Sequence, residues 1–146
     1  MSGFDEVKNE KLKIKIERLV DLRQLYMEEE RYNKILDISF KFGVRVVKLF
    51  QHLVDHNVNY AIPNQILRSG TSIGANVNES VFAQSKKDFV NKMHIALKEA
   101  NETKYWLRLL HETDYINDKE YESMMDDIKN IIGTLVNIIK TSKWNN

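Results

Sequence analysis

Gln65–Leu110, with the sequence QILRSGTSIGANVNESVFAQSKKDFVNKMHIALKEANETKYWLRLL, is the stretch that decides the fold. Its apolar residues recur at three- and four-residue steps, which predicts two helices joined by a tight turn. The inward stripe of the first helix is Ile66, Gly70, Ile73, Val77 and Val81. The seam of the second helix is Phe89, Met93, Ala96, Ala100, Thr103, Leu107 and Leu110. No cofactor motif or nucleophile–base pair accompanies them, so the stretch indicates architecture more than chemistry.

Two glycines four residues apart, Gly70 and Gly74, lie inside the first of these helices. A glycine in a helix interior costs about 1 kcal/mol relative to alanine, so we expect both to have a structural reason. Close approach of a crossing helix is the simplest one. A phosphate-binding loop at Ser69–Gly74 is the alternative, but the P-loop lysine and the preceding strand are missing.

The second helix of the stretch has a clear start and a pair of carboxylates. Ser85 and Asp88 have the spacing of an N-terminal capping box. Glu99 and Glu102 could serve acid–base or metal chemistry, but the Glu-x-x-His motif of a di-iron bundle occurs nowhere in the chain. We therefore expect structural ion pairing, for instance with Arg68, whose planar guanidinium matches a carboxylate.

The composition sets the limits on the rest of the chain. Its 146 residues correspond to one domain, and the single proline and five glycines argue against a β-sandwich. There is no cysteine, which excludes disulfides and thiolate–metal sites. Lys plus Arg total 22 and Asp plus Glu total 21, so a general basic excess is absent. No apolar run is long enough for a bilayer, and we expect a cytoplasmic protein without a membrane contact.

The helix before this stretch, predicted at about 33–54, has too many apolar residues for one buried stripe. The first seam is Ile35, Ile38, Phe42, Val46, Leu49 and Leu53. A second, neighbouring seam is Leu36, Phe40, Val47, Phe50 and Val54. A helix that is apolar over more than half of its circumference is buried on more than one side. We expect the second side to be a subunit interface.

Four cations share the remaining face of this helix. They are Lys34, Lys41, Arg45 and Lys48, interrupted by Asp37. Such a stripe could follow a phosphate backbone, which makes these residues the candidate nucleic-acid-binding site. The alternative is an ordinary solvated face, because no aromatic side chains are interspersed for base stacking.

His52 and His56 follow at a spacing that can hold a metal ion, although no third ligand is evident. We therefore predict no metal site, no cofactor, no catalytic residue and no small-molecule substrate. Replacing Glu99 or Glu102 should lower stability rather than abolish a reaction.

The remaining segments complete an all-α protein. Residues 1–32 are predicted as an N-terminal helical extension, with a helix at Glu10–Arg31 that docks on the bundle or on a neighbouring subunit; a frayed helix without a function is the alternative. Residues 33–146 are predicted as an antiparallel up-down-up-down four-helix bundle. Its helices are expected at about 33–54, 63–83, 86–112 and 118–142, the last one capped by Asn117 with Glu120.

Two motifs lie between Leu67 and Leu107, one on each helix of the opening stretch. The residues of the first motif are Leu67, Arg68, Gly70, Ser72, Ile73, Asn76 and Glu79. Those of the second motif are Ser85, Lys86, Asp88, Phe89, Ile95, Ala96, Glu99, Glu102, Thr103, Tyr105, Trp106 and Leu107. With these motifs the chain resembles the four-helix-bundle proteins also known as 23S rRNA intervening-sequence, or S23, proteins, and the resemblance covers about Asn33–Thr141.

This resemblance implies a bacterial protein that forms a ring-like homopentamer and has no settled biochemical activity. A related group, the accessory variability determinant proteins of diversity-generating retroelements, is also pentameric and binds nucleic acid and a reverse transcriptase. Those proteins are strongly basic, whereas residues 33–146 hold 15 basic and 13 acidic residues, a difference of +2. The first hypothesis is therefore a structural or protein-interaction module that binds itself and a protein partner. The second is an accessory protein that binds RNA or DNA.

Overall fold

The computed structural model describes residues 3–56 and 59–144. It contains four α-helices, which are α1 (Gly3–Asp55), α2 (Ala61–Glu79), α3 (Lys86–Glu112) and α4 (Asp118–Trp144). A short 3₁₀ turn, Ser80–Phe82, follows α2. No β-strand occurs in these residues, and the predicted all-α class is confirmed.

The four helices form a closed bundle. Helices α1 and α3 each pack against both α2 and α4. The connections between successive helices are only a few residues long, so consecutive helices run antiparallel. This is the up-down-up-down arrangement that the sequence predicts.

The core of the bundle consists of the seams predicted from helical periodicity. Every member of the α3 seam from Met93 to Leu110 is buried, and Phe89 packs against the core. On α1 the first seam is buried, with Ile38 and Leu49 at its edges. One α2 position differs, because Val81 is 52% exposed. The chain leaves the α-helix at Ser80, and the tighter turn rotates Val81 away from the core.

Helices α3 and α4 each begin with a side-chain cap, at the positions that the sequence predicts. The Asp88 backbone N–H donates to Ser85 Oγ at 3.0 Å, and the Gln84 N–H donates back to the Asp88 carboxylate at 3.2 Å. At the start of α4, the Glu120 N–H donates to Asn117 Oδ1 at 2.9 Å. Both caps satisfy backbone donors that the helix itself leaves unpaired.

Helix α1 is much longer than predicted. It begins at Gly3 rather than at Glu10 and runs through residues 32 and 33 without a break. The side chains of Gly3–Met27 are all exposed, so this segment does not dock on its own bundle. Docking on a neighbouring subunit stays a prediction. No helix among the described residues is long and apolar enough to cross a membrane.

Candidate interaction surface

An open apolar groove of about 460 Å³ lies between α1 and α2. We call it the α1–α2 groove. Its residues are Ser39, Phe40, Gly43, Val44, Val47, Lys48, Gln51, Thr71, Gly74 and Ala75. Phe40 is 71% exposed, and Val44 and Val47 are exposed beside it. Phe40 and Val47 belong to the second apolar seam of this helix, and the bundle of one chain leaves these two open. The rest of that seam is half-buried, with Leu36 packed against the core.

Glycines on α2 bring the two helices close together beside the groove. A Cβ atom at position 70 would lie 2.7 Å from a methyl group of Val46, closer than atoms can pack. A Cβ atom at position 74 would lie 3.2 Å from the backbone oxygen of Ser39. The predicted reason for the two glycines, close approach of a crossing helix, is confirmed. Gly43 is different, because a Cβ atom there would have no neighbour within 4 Å.

A polar seam joins α2 to α3 on another side of the bundle. Arg68 donates to the Glu99 carboxylate at 3.3 Å and to the Glu102 carboxylate. Trp106 Nε1 donates to the same Glu102 oxygen at 3.2 Å. Sequence reasoning predicted the pairing of Arg68 with both carboxylates but missed the indole donor. Its only sequence signal is the four-residue spacing between Glu102 and Trp106.

The hydrogen bond from Arg68 holds the pKa of Glu102 below its ordinary value, and the Trp106 N–H acts in the same direction. Partial desolvation opposes both effects. In return, the Glu102 hydrogen bond raises the pKa of Arg68. A carboxylate held in its ionised form by two donors is a poor general acid. The arrangement suits the joining of helices better than proton transfer.

The other residues of the resemblance motif have local structural contacts. Ser72 Oγ donates to the Arg68 carbonyl at 2.6 Å, and Asn76 Nδ2 donates to the Ser72 carbonyl at 2.8 Å. Glu79 pairs with Lys92 of α3 at 2.8 Å, and this hydrogen bond raises the pKa of Lys92. The first two contacts lie within α2, and the Glu79–Lys92 pair joins α2 to α3. None of them points to a bound ligand.

The structure does not bring the four candidate nucleic-acid-binding cations together as a free face. Lys41 pairs with Asp37 at 2.8 Å, one turn away on α1. Arg45 pairs with Asp127 of α4 at 2.5 Å and also donates to Ser123 Oγ at 2.9 Å. Lys34 and Lys48 have no ion pair with any residue that the structure describes.

Three of the four histidines contact neighbouring residues in two separate places. His52 and His56 have ring centroids 4.2 Å apart, and His56 Nδ1 bonds the His52 carbonyl oxygen at 2.7 Å. His111 bonds Asp118 at 2.6 Å and stacks on Tyr121. Within residues 3–56 and 59–144, no three His, Asp or Glu side chains are arranged to hold a metal ion.

A small cluster that sequence reasoning missed lies where α1 leaves the bundle. The Tyr32 hydroxyl bonds Ser80 Oγ at 3.1 Å, and the Tyr32 ring packs on Phe89 at 5.6 Å between centroids. Deeper in the bundle, Thr103 Oγ1 donates to Ser69 Oγ at 2.9 Å. The helical spacing of Tyr32 and Ile35 was the available signal for the first contact, since it continues the buried stripe by one turn.

The chain is similar in sequence and in structure to proteins of one known family. Residues 31–137 match the family model described as 23S rRNA-intervening sequence protein. A similar solved structure is the crystal structure of a protein with unknown function from the S23 ribosomal protein family, from Bacteroides thetaiotaomicron VPI-5482. The two chains are 51% identical with a TM-score of 0.74, over 75% of this chain and 98% of that chain. No curated protein matches this chain.

The matched region, residues 31–137, contains most of the bundle and ends within α4, and it leaves nearly all of the exposed part of α1 outside. It includes the α1–α2 groove and the polar seam of Arg68, Glu99 and Glu102. With the family model and the similar crystal structure in agreement, this chain belongs to the family of 23S rRNA-intervening sequence proteins.

Proposed function

We propose that this protein is a non-enzymatic structural and protein-interaction module that assembles into homo-oligomers, as rings of five subunits. A second copy of the chain occupies the α1–α2 groove. The exposure of Phe40, Val44 and Val47 side by side on one wall is the observation that carries the proposal. The number five comes from the resemblance described above.

The physical argument is the cost of leaving this face in water. Burial of apolar surface is worth about 25 cal/mol per Å², so three adjacent apolar side chains favour association. Gly43 and Ala75 keep the groove wide enough to accept a side chain from another subunit. An interface in which a groove meets a different surface of the next subunit is heterologous, and such contacts form a ring when the rotation between subunits closes and a filament when it does not.

Two glycines provide a matched experiment. Gly43 lies in the groove and Gly133 lies on the exposed side of α4, and a Cβ atom at either would have no neighbour within 4 Å. Gly43→Met and Gly133→Met should therefore both fold. We expect light scattering at micromolar concentration to show an oligomer for wild type and Gly133→Met, and a smaller species for Gly43→Met. A monomeric wild type, or equal masses for the two variants, would refute the proposal.

Binding of RNA or DNA, alone or together with a protein partner such as a reverse transcriptase, is the second candidate function. Its support is that Lys34 and Lys48 carry no ion pair in the described part of the chain. A ring would repeat these two charges around its axis and build a stronger positive field.

The salt dependence of RNA binding tests this second function. Lys34→Glu/Lys48→Glu should weaken the binding of labelled RNA and reduce its dependence on salt concentration. Lys119→Glu/Lys129→Glu is the matched control, because it changes two exposed lysines of α4. RNA binding that both double variants weaken equally, or no binding at low salt, would argue against this function.

A further inference from the structure

The first half of α1 is a helix that leaves the bundle with an uncovered apolar stripe. We call Gly3–Arg31 the extension helix. Five large apolar residues of its stripe are exposed, and they are Leu12, Ile16, Leu19, Leu22 and Tyr26. A helix gains most of its stability from tertiary packing of its apolar face, and this face has no packing partner among the described residues.

The stripe is symmetric about Leu19. Ile16 and Leu22 lie three residues on either side of it, and Leu12 and Tyr26 lie seven residues on either side. When two copies of such a helix run antiparallel with their Leu19 side chains at the crossing point, Leu12 meets Tyr26 and Ile16 meets Leu22. Each apolar side chain then faces an apolar side chain of the other copy.

The charges of the extension helix favour the same orientation. Residues 8–15 contain four lysines and one glutamate, a net charge of +3. Residues 23–30 contain Arg23 and three glutamates, a net charge of −2. These two segments are mirror images about Leu19, so antiparallel pairing brings segments of opposite net charge together, with Lys8 opposite Glu30. The complementarity is one of net charge, because Lys15 then lies opposite Arg23 and Glu10 opposite Glu28. Parallel pairing would place each segment beside its own copy, where like charges repel.

The geometry also leaves room for both bundles. Ile35 is the first fully buried core residue of α1, and its mirror position about Leu19 is residue 3. With a rise of 1.5 Å per residue, the Ile35 residues of the two copies lie about 48 Å apart along the pair. The end of α4 reaches back as far as Leu25, which lines one pocket with Ile138 and Thr141. The mirror position of Leu25 is residue 13, so a central span of 12 residues, about 18 Å, separates the ends of the two bundles.

We propose that the extension helix is a self-association element, in which the extension helix of a second copy of this chain docks antiparallel with its centre at Leu19. This contact uses no residue of the α1–α2 groove, so it goes beyond the proposed function. It joins two chains, or two rings, end to end.

Cysteine cross-linking tests the orientation directly, because the natural chain has no cysteine. Under mild oxidation at low protein concentration, we expect Leu19→Cys to form disulfide-linked dimers. Leu12→Cys alone and Tyr26→Cys alone should not, whereas an equimolar mixture of these two variants should. Cross-linking of Leu12→Cys with itself would indicate a parallel contact and overturn the proposal. Absence of a cross-link in all samples would also overturn it.

A charge exchange tests the electrostatic part, and the Gly43→Met background separates it from assembly through the groove. In that background we expect the Kd of the dimer to rise by about tenfold or more at low salt in each of two double variants, Lys8→Glu/Lys11→Glu and Glu29→Lys/Glu30→Lys. An equimolar mixture of the two should recover the dimer, since opposite charges face each other again. Failure of the mixture to associate, or undisturbed dimers of either variant, would contradict the inference. Because Gly43→Met disrupts assembly through the groove, the association measured in this background reports on the extension helix alone.

Discussion

At the scale of single residues, Glu102 carries more of the α2–α3 contact than any other carboxylate of the polar seam. It accepts from Arg68 and from Trp106, so its removal leaves two donors without their charged acceptor. The Arg68 side chain is 50% exposed, which limits the stabilisation to the range of a solvated ion pair, about 1 kcal/mol. For Glu102→Gln we expect a melting temperature lower by about 2–4 °C at pH 7.

The pH dependence of this difference follows from the direction of the pKa shift. The pKa of Glu102 is lower in the folded protein than its ordinary value of 4.5, so ionisation stabilises the fold above that value. This stabilisation is lost as the pH falls through the lowered pKa. Thermal melts of wild type and Glu102→Gln should therefore converge in strong acid. An equal gap at pH 7 and at pH 2 would show that the effect comes from packing rather than charge.

A glycine comparison tests the close contact between α1 and α2. Gly70→Ala should destabilise the protein by about 1–3 kcal/mol, because the new methyl group meets the Val46 side chain. Gly133→Ala should instead stabilise it by about 0.5–1 kcal/mol, since α4 is open there and alanine favours the helix. Chemical denaturation of both variants beside wild type measures the two changes. The same sign for both would contradict this account of the bundle.

At the scale of elements, how well a helix was predicted depended on how local its signals are. The starts of α3 and α4 follow from caps within four residues, Ser85 with Asp88 and Asn117 with Glu120, and both were predicted correctly. The length of α1 was not, since the acidic run before Tyr32 marks a change of composition without any helix-breaking residue. The pairing of Arg45 with Asp127 depends on how α1 lies against α4, which the sequence does not reveal.

The Ser85 cap gives a test of this local signal. Its hydroxyl accepts the Asp88 backbone N–H, so Ser85→Ala should cost about 1 kcal/mol. Ser85→Asp should retain most of the stability, because aspartate also accepts this bond and suits the positive end of the helix dipole. Urea unfolding monitored by circular dichroism compares the three proteins. Equal losses in both variants would indicate that the hydroxyl acts through another contact.

At the scale of the whole molecule, a folded single chain leaves the α1–α2 groove in water, so its stability should depend on its concentration. Any contact made only by the folded state stabilises it by mass action, and we expect the melting temperature to rise between 1 and about 100 μM. Substitution of two exposed phenylalanines distinguishes an effect of the groove from a general effect of surface charge. Phe40 lies in the groove at 71% exposure, and Phe82 lies in the 3₁₀ turn at 84% exposure, outside the residues that line the groove.

Phe40→Glu and Phe82→Glu each add one negative charge at an exposed position, so neither should change the stability of a single chain by more than about 0.5 kcal/mol. The groove hypothesis predicts that Phe40→Glu reduces the rise of melting temperature with concentration and that Phe82→Glu keeps it. The part of the rise that Phe40→Glu retains should disappear when Glu29→Lys/Glu30→Lys is added, because the extension helix is then uncoupled as well. Identical concentration dependence in all variants would mean that neither surface mediates assembly.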